Sequence, residues 1–128
     1  MLLAIDVGNA SISLGTIEDG AIGSVVRIHT DINATTAEYG IRLQQLLNYY
    51  GIDPKSFDGA IICSVVPTVT EALRSAVRHL TGLDSLVVGP GIKTGLNVRI
   101  DDPSSLGGDL VVGSVAAIAC YGSPSIVI

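Results

Sequence analysis

The opening stretch Met1–Ala10 constrains the fold more than any other segment. An apolar run of strand length, Leu2 to Ile5, ends in Asp6; Gly8-Asn9 follows at once, and a second strand-like run begins at Ser11. Two such runs separated by Gly-Asn read as a tight hairpin. Its tip carries a carboxylate and bare backbone amides, so it can hold a metal ion and come close to a phosphate, since Gly8 has no Cβ in the way. The same residues also make an ordinary turn, and this stretch alone leaves both readings open.

Periodicity predicts the rest of the architecture. Ser11–Glu18 and Ala21–Thr30 read as strands joined by Asp19-Gly20, which with Leu2–Ile5 gives an antiparallel meander. Thr35 and Glu38 have the spacing of a capping box, and Tyr39, Leu43, Leu46, Leu47 and Tyr50 follow at helical intervals until Gly51. Gly59–Val66 reads as a buried parallel strand. Pro67 with the Thr68 and Glu71 pair predicts the start of a second helix, with Val69, Leu73, Ala76, Val77 and Leu80 on its apolar face and Gly82 as its stop. Ser85–Val88 is a short strand. A loop from Gly89 to Asp102, with a short strand near Asn97–Ile100, leads to a third helix starting at Asp102-Pro103, with Val112, Val115, Ala116 and Ala119 on one face. Ser125–Ile128 reads as the first half of another buried strand, from which the chain is expected to continue. Strands that alternate with helices after a meander define an α/β layered domain.

Composition narrows the function. The chain has 128 residues, 48% hydrophobic and 15% charged, which suits one ordered domain with a real core. Net charge is -5 with only 7 Lys plus Arg, against the cationic surface that nucleic acid or an anionic membrane demands. No basic residue precedes the short apolar N-terminus, so no secretory signal is read, and no run is long enough to span a bilayer; a cytoplasmic protein is expected. Cys63 and Cys120 lack metal-type spacing and read as small buried hydrophobes in a reducing compartment.

Two glycine-rich stretches invite a functional reading. Gly89-Pro90-Gly91-Ile92-Lys93-Thr94-Gly95 is not a P-loop, because Ile92 and Val87 stand where that motif needs glycine. It is a chain-turning loop, or a loop that walls a pocket at the sheet edge. Gly107-Gly108-Asp109 falls in or just before the third helix, where each glycine would cost roughly 1 kcal/mol relative to Ala. Either something approaches this backbone and Asp109 is a general base, or Asp109 is an acidic residue favoured by the helix dipole. His29 and His79 belong to no catalytic or metal pattern.

Taken together, these segments resemble the type III pantothenate kinase family. The resemblance rests on Asp6-Val7-Gly8-Asn9; Thr36-Ala37-Glu38-Tyr39-Gly40; Ser64-Val65-Val66-Pro67; Val88 to Leu96; and Asp102-Pro103-Ser104 running into Gly107-Gly108-Asp109, with Tyr121-Gly122-Ser123-Pro124 behind. Five blocks in the family's order cover the whole chain. The resemblance implies an actin-like, ribonuclease-H-like α/β fold whose mixed sheet opens with the three-stranded meander. Residues 1–122 would form the first domain and residues 123–128 the first strand of a second, so this piece alone is expected to be inactive.

The implied chemistry is transfer of the ATP γ-phosphoryl group to the primary hydroxyl of pantothenate, the first step of coenzyme A synthesis. On that resemblance Asp6 holds Mg²⁺. Val7, Gly8, Asn9, Ala10, Ser11, Ile12 and Ser13 complete the ATP and phosphate site with it. Asp109 takes the hydroxyl proton, and Ile100, Gly107, Gly108 and Leu110 help bind pantothenate. A monovalent cation (K⁺ or NH₄⁺) and a homodimer are also implied. The chain departs from the family pattern at several points. Ala10 replaces a usual Thr, Gly108 and Leu110 replace Ala and Arg of a Gly-Ala-Asp-Arg block, Ile100 stands where Tyr is usual, and Asp102 where Asn is. Leu110 cannot make the bidentate anion contact of an Arg. Those changes motivate two alternatives: a non-catalytic regulatory or binding protein on the same scaffold, or a kinase for a different acid or sugar.

Overall fold

In a computed structural model, which describes residues 1–89, 92–102 and 105–128, the chain forms one mixed sheet with three α-helices. Pro90, Gly91, Pro103 and Ser104 carry part of the glycine-rich loop and of the expected third-helix start, and lie outside the described residues. Strands β1 (Leu2–Val7), β2 (Ser11–Glu18) and β3 (Ala21–His29) make the meander. Helix α1 (Thr36–Tyr49), strand β4 (Gly59–Ser64), helix α2 (Pro67–Thr81), strand β5 (Leu86–Val87) and helix α3 (Gly108–Tyr121) follow. The strand order is β3-β2-β1-β4-β5, with β1 antiparallel to β2 and parallel to β4.

Alternation along each strand splits the sheet into two unlike faces. Leu3, Ile5 and Val7 of β1, Ile12 and Leu14 of β2, and Ala60 and Ile62 of β4 point to one side. There they pack against Tyr39, Leu43 and Leu47 of α1 and Val69, Leu73, Ala76 and Val77 of α2. The capping box at α1 forms as expected: Glu38 N–H donates to the Thr35 hydroxyl at 3.3 Å, and Thr35 N–H donates to the Glu38 carboxylate at 2.7 Å. Gly82 ends α2 at φ 82°, a left-handed conformation open to glycine.

Helix α2 starts at Pro67 as expected, though not through a cap from the Thr68 and Glu71 pair, and helix α3 starts later than expected. Helix α2 is capped by Val66 without a side-chain bond, because Pro67 opens it with a preset φ and no N–H to satisfy. Thr68 is therefore inside the helix, and Glu71 lies 4.0 Å from Arg74 instead of serving a cap. Helix α3 begins at Gly108, not at Asp102-Pro103. Ser105 turns back onto the Asp102 carbonyl through N–H and hydroxyl bonds of 3.1 and 2.7 Å, and Gly107 at ψ 142° is extended, so no helix can run through it. The glycine pair is thus a cap and a first residue, outside the interior positions where glycine is costly.

Three further expectations fail. Asn97–Ile100 forms no strand. Neither does Ser125–Ile128, which finds no neighbour to pair with among the described residues; Val127 instead lies near α3, 3.7 Å from where a Cβ on Gly113 would sit. Cys120 is exposed, because α3 buries none of its residues fully.

Candidate active site

The open face of the sheet holds the candidate site. Asp6 is the one exposed polar residue of β1, next to last on the strand, and alternation turns it away from Ile5 and Val7. In the β1–β4 register it pairs with Cys63, and in the β1–β2 register with Ser13. Strands β1, β4 and β5 run parallel, so their carboxyl ends gather at one edge. A cleft of about 390 Å³ opens on this face, lined by Asp6, Ser13, Cys63, Val88 and Val112 among others. A hollow of about 30 Å³ on the helix-covered side, between Leu14, Leu43 and Val77, is apolar and too small for a metabolite.

The hairpin tip is braced from behind. Gly8 N–H donates to the Ser11 carbonyl at 2.9 Å, and a Cβ on Gly8 would come within 3.2 Å of that oxygen. The Thr30 hydroxyl donates to the Gly8 carbonyl at 2.7 Å, and Thr30 N–H to the Ala10 carbonyl at 3.1 Å. Thr30 is a buried polar residue that sequence reasoning passed over, and its position at the end of β3 was the available signal. Asn9 and Ala10 are exposed at the tip and Ser11 and Ser13 half-buried. Val7 and Ile12 have their side chains in the core, at 1% and 0% exposure, so only their backbone can meet a ligand.

Helix α3 crosses this face above β4. A Cβ on Gly108 would stand 3.3 Å from Cys63 Sγ and 3.5 Å from Val88 Cγ1, so the bare Cα lets the helix start settle on the sheet. A Cβ on Gly107 would collide with Asp109 Oδ1, because the carboxylate folds back over that glycine. Asp109 is exposed in the first turn, three residues before Val112 and hence on the same side of the helix as that cleft-lining residue. Burial pushes the Cys63 thiol above its ordinary pKa, and the negative charges of Asp6 and Asp109 both push it further. Cys63 is thus the strand partner of Asp6 and the residue on which the helix start carrying Asp109 rests. Ile100, in the loop before α3, and Leu110 are about half exposed, and the residues lining the cleft include neither of them, nor Gly8, Asn9, Gly107, Gly108 or Asp109. Among the described residues no group of three or more His, Cys, Asp or Glu side chains is placed to hold a metal ion.

These features define an α/β domain with a cleft on the open sheet face and a carboxylate on each of two elements beside it. Comparison with known proteins makes this specific. The type III pantothenate kinase family model matches residues 2–128, and the chain belongs to that family. A type III pantothenate kinase of Bifidobacterium longum (strain DJO10A) is 46% identical over 127 residues, 99% of this chain and 50% of the relative. The Moorella thermoacetica protein of the same name is 42% identical over 128 residues, all of this chain and 50% of the relative. That of Bifidobacterium adolescentis is 41% identical over 127 residues. The chain thus spans about half the length of the curated relatives it matches.

Proposed function

We propose that the full-length protein phosphorylates pantothenate from ATP, and that this chain carries the acceptor-activating half of the site. The observation that carries the reading is that Asp6 pairs with Cys63 across β1 and β4 while the helix start that carries Asp109 rests on the same Cys63, in a chain matched by the family model along its length.

Phosphoryl transfer needs positioning and charge neutralisation more than covalent chemistry from the protein. Asp109 accepts the proton of the acceptor's primary hydroxyl as that oxygen bonds to the γ-phosphorus, and the bond from phosphorus to the bridging oxygen breaks to release ADP. Gly107 leaves room for the Asp109 carboxylate to take its pose. Asn9 presents its donors to phosphate at the hairpin tip, where Gly8, its N–H bonded to the Ser11 carbonyl, leaves room for close approach, with Ser11 and Ser13 behind them. The exposed carboxylate of Asp6 is a hard oxygen donor that fits Mg²⁺, an ion held by one or two carboxylates and substrate phosphates more often than by an all-protein cage. Bound Mg²⁺ would neutralise phosphate charge. The first turn of α3 lacks a side-chain cap, so its free amides favour an anion nearby.

The same reading includes an actin-like arrangement with residues 1–122 as the first domain, a monovalent cation, a homodimer and a cytoplasmic setting. For the described residues, no helix is long and apolar enough to cross a membrane. The test is turnover of ATP and pantothenate by the full-length protein and its Asp109→Asn variant. Loss of a general base is expected to lower kcat by about 10²- to 10⁴-fold. The half-exposed Leu110 favours the non-catalytic alternative, since a leucine holds no anion; an inactive wild type would establish that alternative and end the kinase reading.

A further inference from the structure

Residue pairing across the meander sets up a row that no single segment of sequence reveals. Asp6 pairs with Ser13, and Ser13 with Arg27 of β3. The three side chains share the open face, side by side on neighbouring strands, so Asp6 and Arg27 are about 10 Å apart at the backbone, two strand spacings. Asp6 and Ser13 line the cleft, and so does Val25, which precedes Arg27 on the same face of β3. Arg27 therefore stands at the rim, and it is exposed. Among the described residues it has no acidic partner, whereas Arg42 pairs with Asp31, Arg74 with Glu71 and Arg78 with Asp84. In a chain of net charge -5, it is the one Lys or Arg carried by the sheet strands.

We propose that Arg27 is the cationic side of an anion seat completed by the Ser13 hydroxyl and bounded by Asp6. The guanidinium is a fixed fork that fits a carboxylate or a phosphate through two parallel hydrogen bonds. Ser13 can donate to the same anion from the cleft floor. This inference rests on the kinase reading above, which brings two anions to this face: the polyphosphate of ATP and the carboxylate of pantothenate. Leu110 holds neither, whereas Arg27 offers a cation on this face. The competing role for Arg27 is a charge that guards an edge strand against pairing; it predicts no effect on substrates.

The experiment is steady-state kinetics on the full-length protein with Arg27→Gln and Arg27→Lys. Pantothenate is the acceptor in one arm and pantothenyl alcohol, with a hydroxymethyl in place of the carboxylate, in the other. Arg27→Gln is expected to raise a KM roughly 10- to 100-fold with little change in kcat, the size of a lost charge-assisted hydrogen bond, and Arg27→Lys is expected to recover part of it. A rise in the KM for ATP with both acceptors assigns the seat to the polyphosphate. A rise confined to pantothenate and absent with the alcohol assigns it to the carboxylate. Unchanged KM values beside an active wild type overturn the seat and leave the kinase reading standing. An inactive wild type ends the kinase reading instead; equilibrium dialysis of Mg-ATP and of pantothenate against wild type and Arg27→Gln then decides, and equal binding overturns the seat.

Discussion

The two faces of the sheet are built from the same strands to opposite ends. On the side of α1 and α2, Ile12, Ile62 and Leu73 are fully buried at 0% exposure, and every strand from β1 to β4 except β3 contributes a buried apolar side chain. On the other side, Ile22 is 74% exposed and Val25 64%, and α3 buries no residue fully. One face supplies the free energy that orders the backbone. The other holds carboxylates, hydroxyls and small residues at positions that the first face fixes. A residue's neighbour in sequence thus says little about its role: Ile5 and Asp6 adjoin, and one is core while the other faces the cleft.

The sharpest way to break that contrast is Leu73→Ala. Leu73 lies at the centre of the α2 contact with the sheet, so its truncation leaves a cavity, and a loss of about 2–5 kcal/mol is expected in urea denaturation. Ile118→Ala on the half-exposed α3 should stay within about 0.5 kcal/mol. Equal losses at the two positions in the full-length protein would mean that the open face is covered and that the contrast drawn here is wrong.

Gly107→Ala sharpens the contrast from the other side. The backbone at Gly107, φ -61° and ψ 142°, suits any residue, so stability should hardly change. The new Cβ would collide with Asp109 Oδ1, and the carboxylate must swing away. For the general base proposed above, a displacement of about 1 Å can cost on the order of 10²-fold in rate. A drop of that size in kcat, with an unchanged thermal midpoint, is expected; full activity would remove Asp109 from its assigned pose.

Most of the covered face was legible in sequence, because its signals are local. The Thr35 and Glu38 pair, the Tyr39, Leu43 and Leu47 spacing and the Gly82 stop each lie within a few residues of what they control. The open face was legible only in part. Asp6 announces itself through its own turn, but its relation to Asp109 came from family resemblance, since nothing local links two residues so far apart. The start of helix α3 was misplaced because its apolar residues are spread round the helix and it opens on a glycine with no cap signal. The phase of β3 was hidden as well. The register shifts between Gly15 and Ile17, where Ser24 N–H donates to the Thr16 hydroxyl at 3.1 Å, and a Cβ on Gly23 would lie only 2.6 Å from that oxygen. The shift puts both Ile22 and Val25 on the open face, although strict alternation would send them to opposite sides, and so it also sets where Arg27 stands.

The smallest effect concerns pH, and it belongs to the entry of α1 on the covered side. Hydrogen bonding from Arg42, then from the Asn33 amide, holds the Asp31 carboxyl below its ordinary range, and the Thr35 amide and hydroxyl do the same for Glu38. A depressed folded-state pKa means that the unfolded chain binds protons first on acidification. The stabilisation is therefore complete above the ordinary values of 3.8 for Asp31 and 4.5 for Glu38 and is lost as pH falls through the lower folded values. Glu38 is exposed and Asp31 only partly buried, so the contribution is modest. The thermal midpoint should be nearly level from neutral pH to about pH 5 as far as these two groups act, and decline below their ordinary range. Asp31→Asn removes the Arg42 ion pair and should make that decline shallower while leaving the midpoint at neutral pH slightly lower. A decline equally steep in wild type and variant would show that the acid sensitivity arises elsewhere, and the first place to look would then be the carboxylates of the open face.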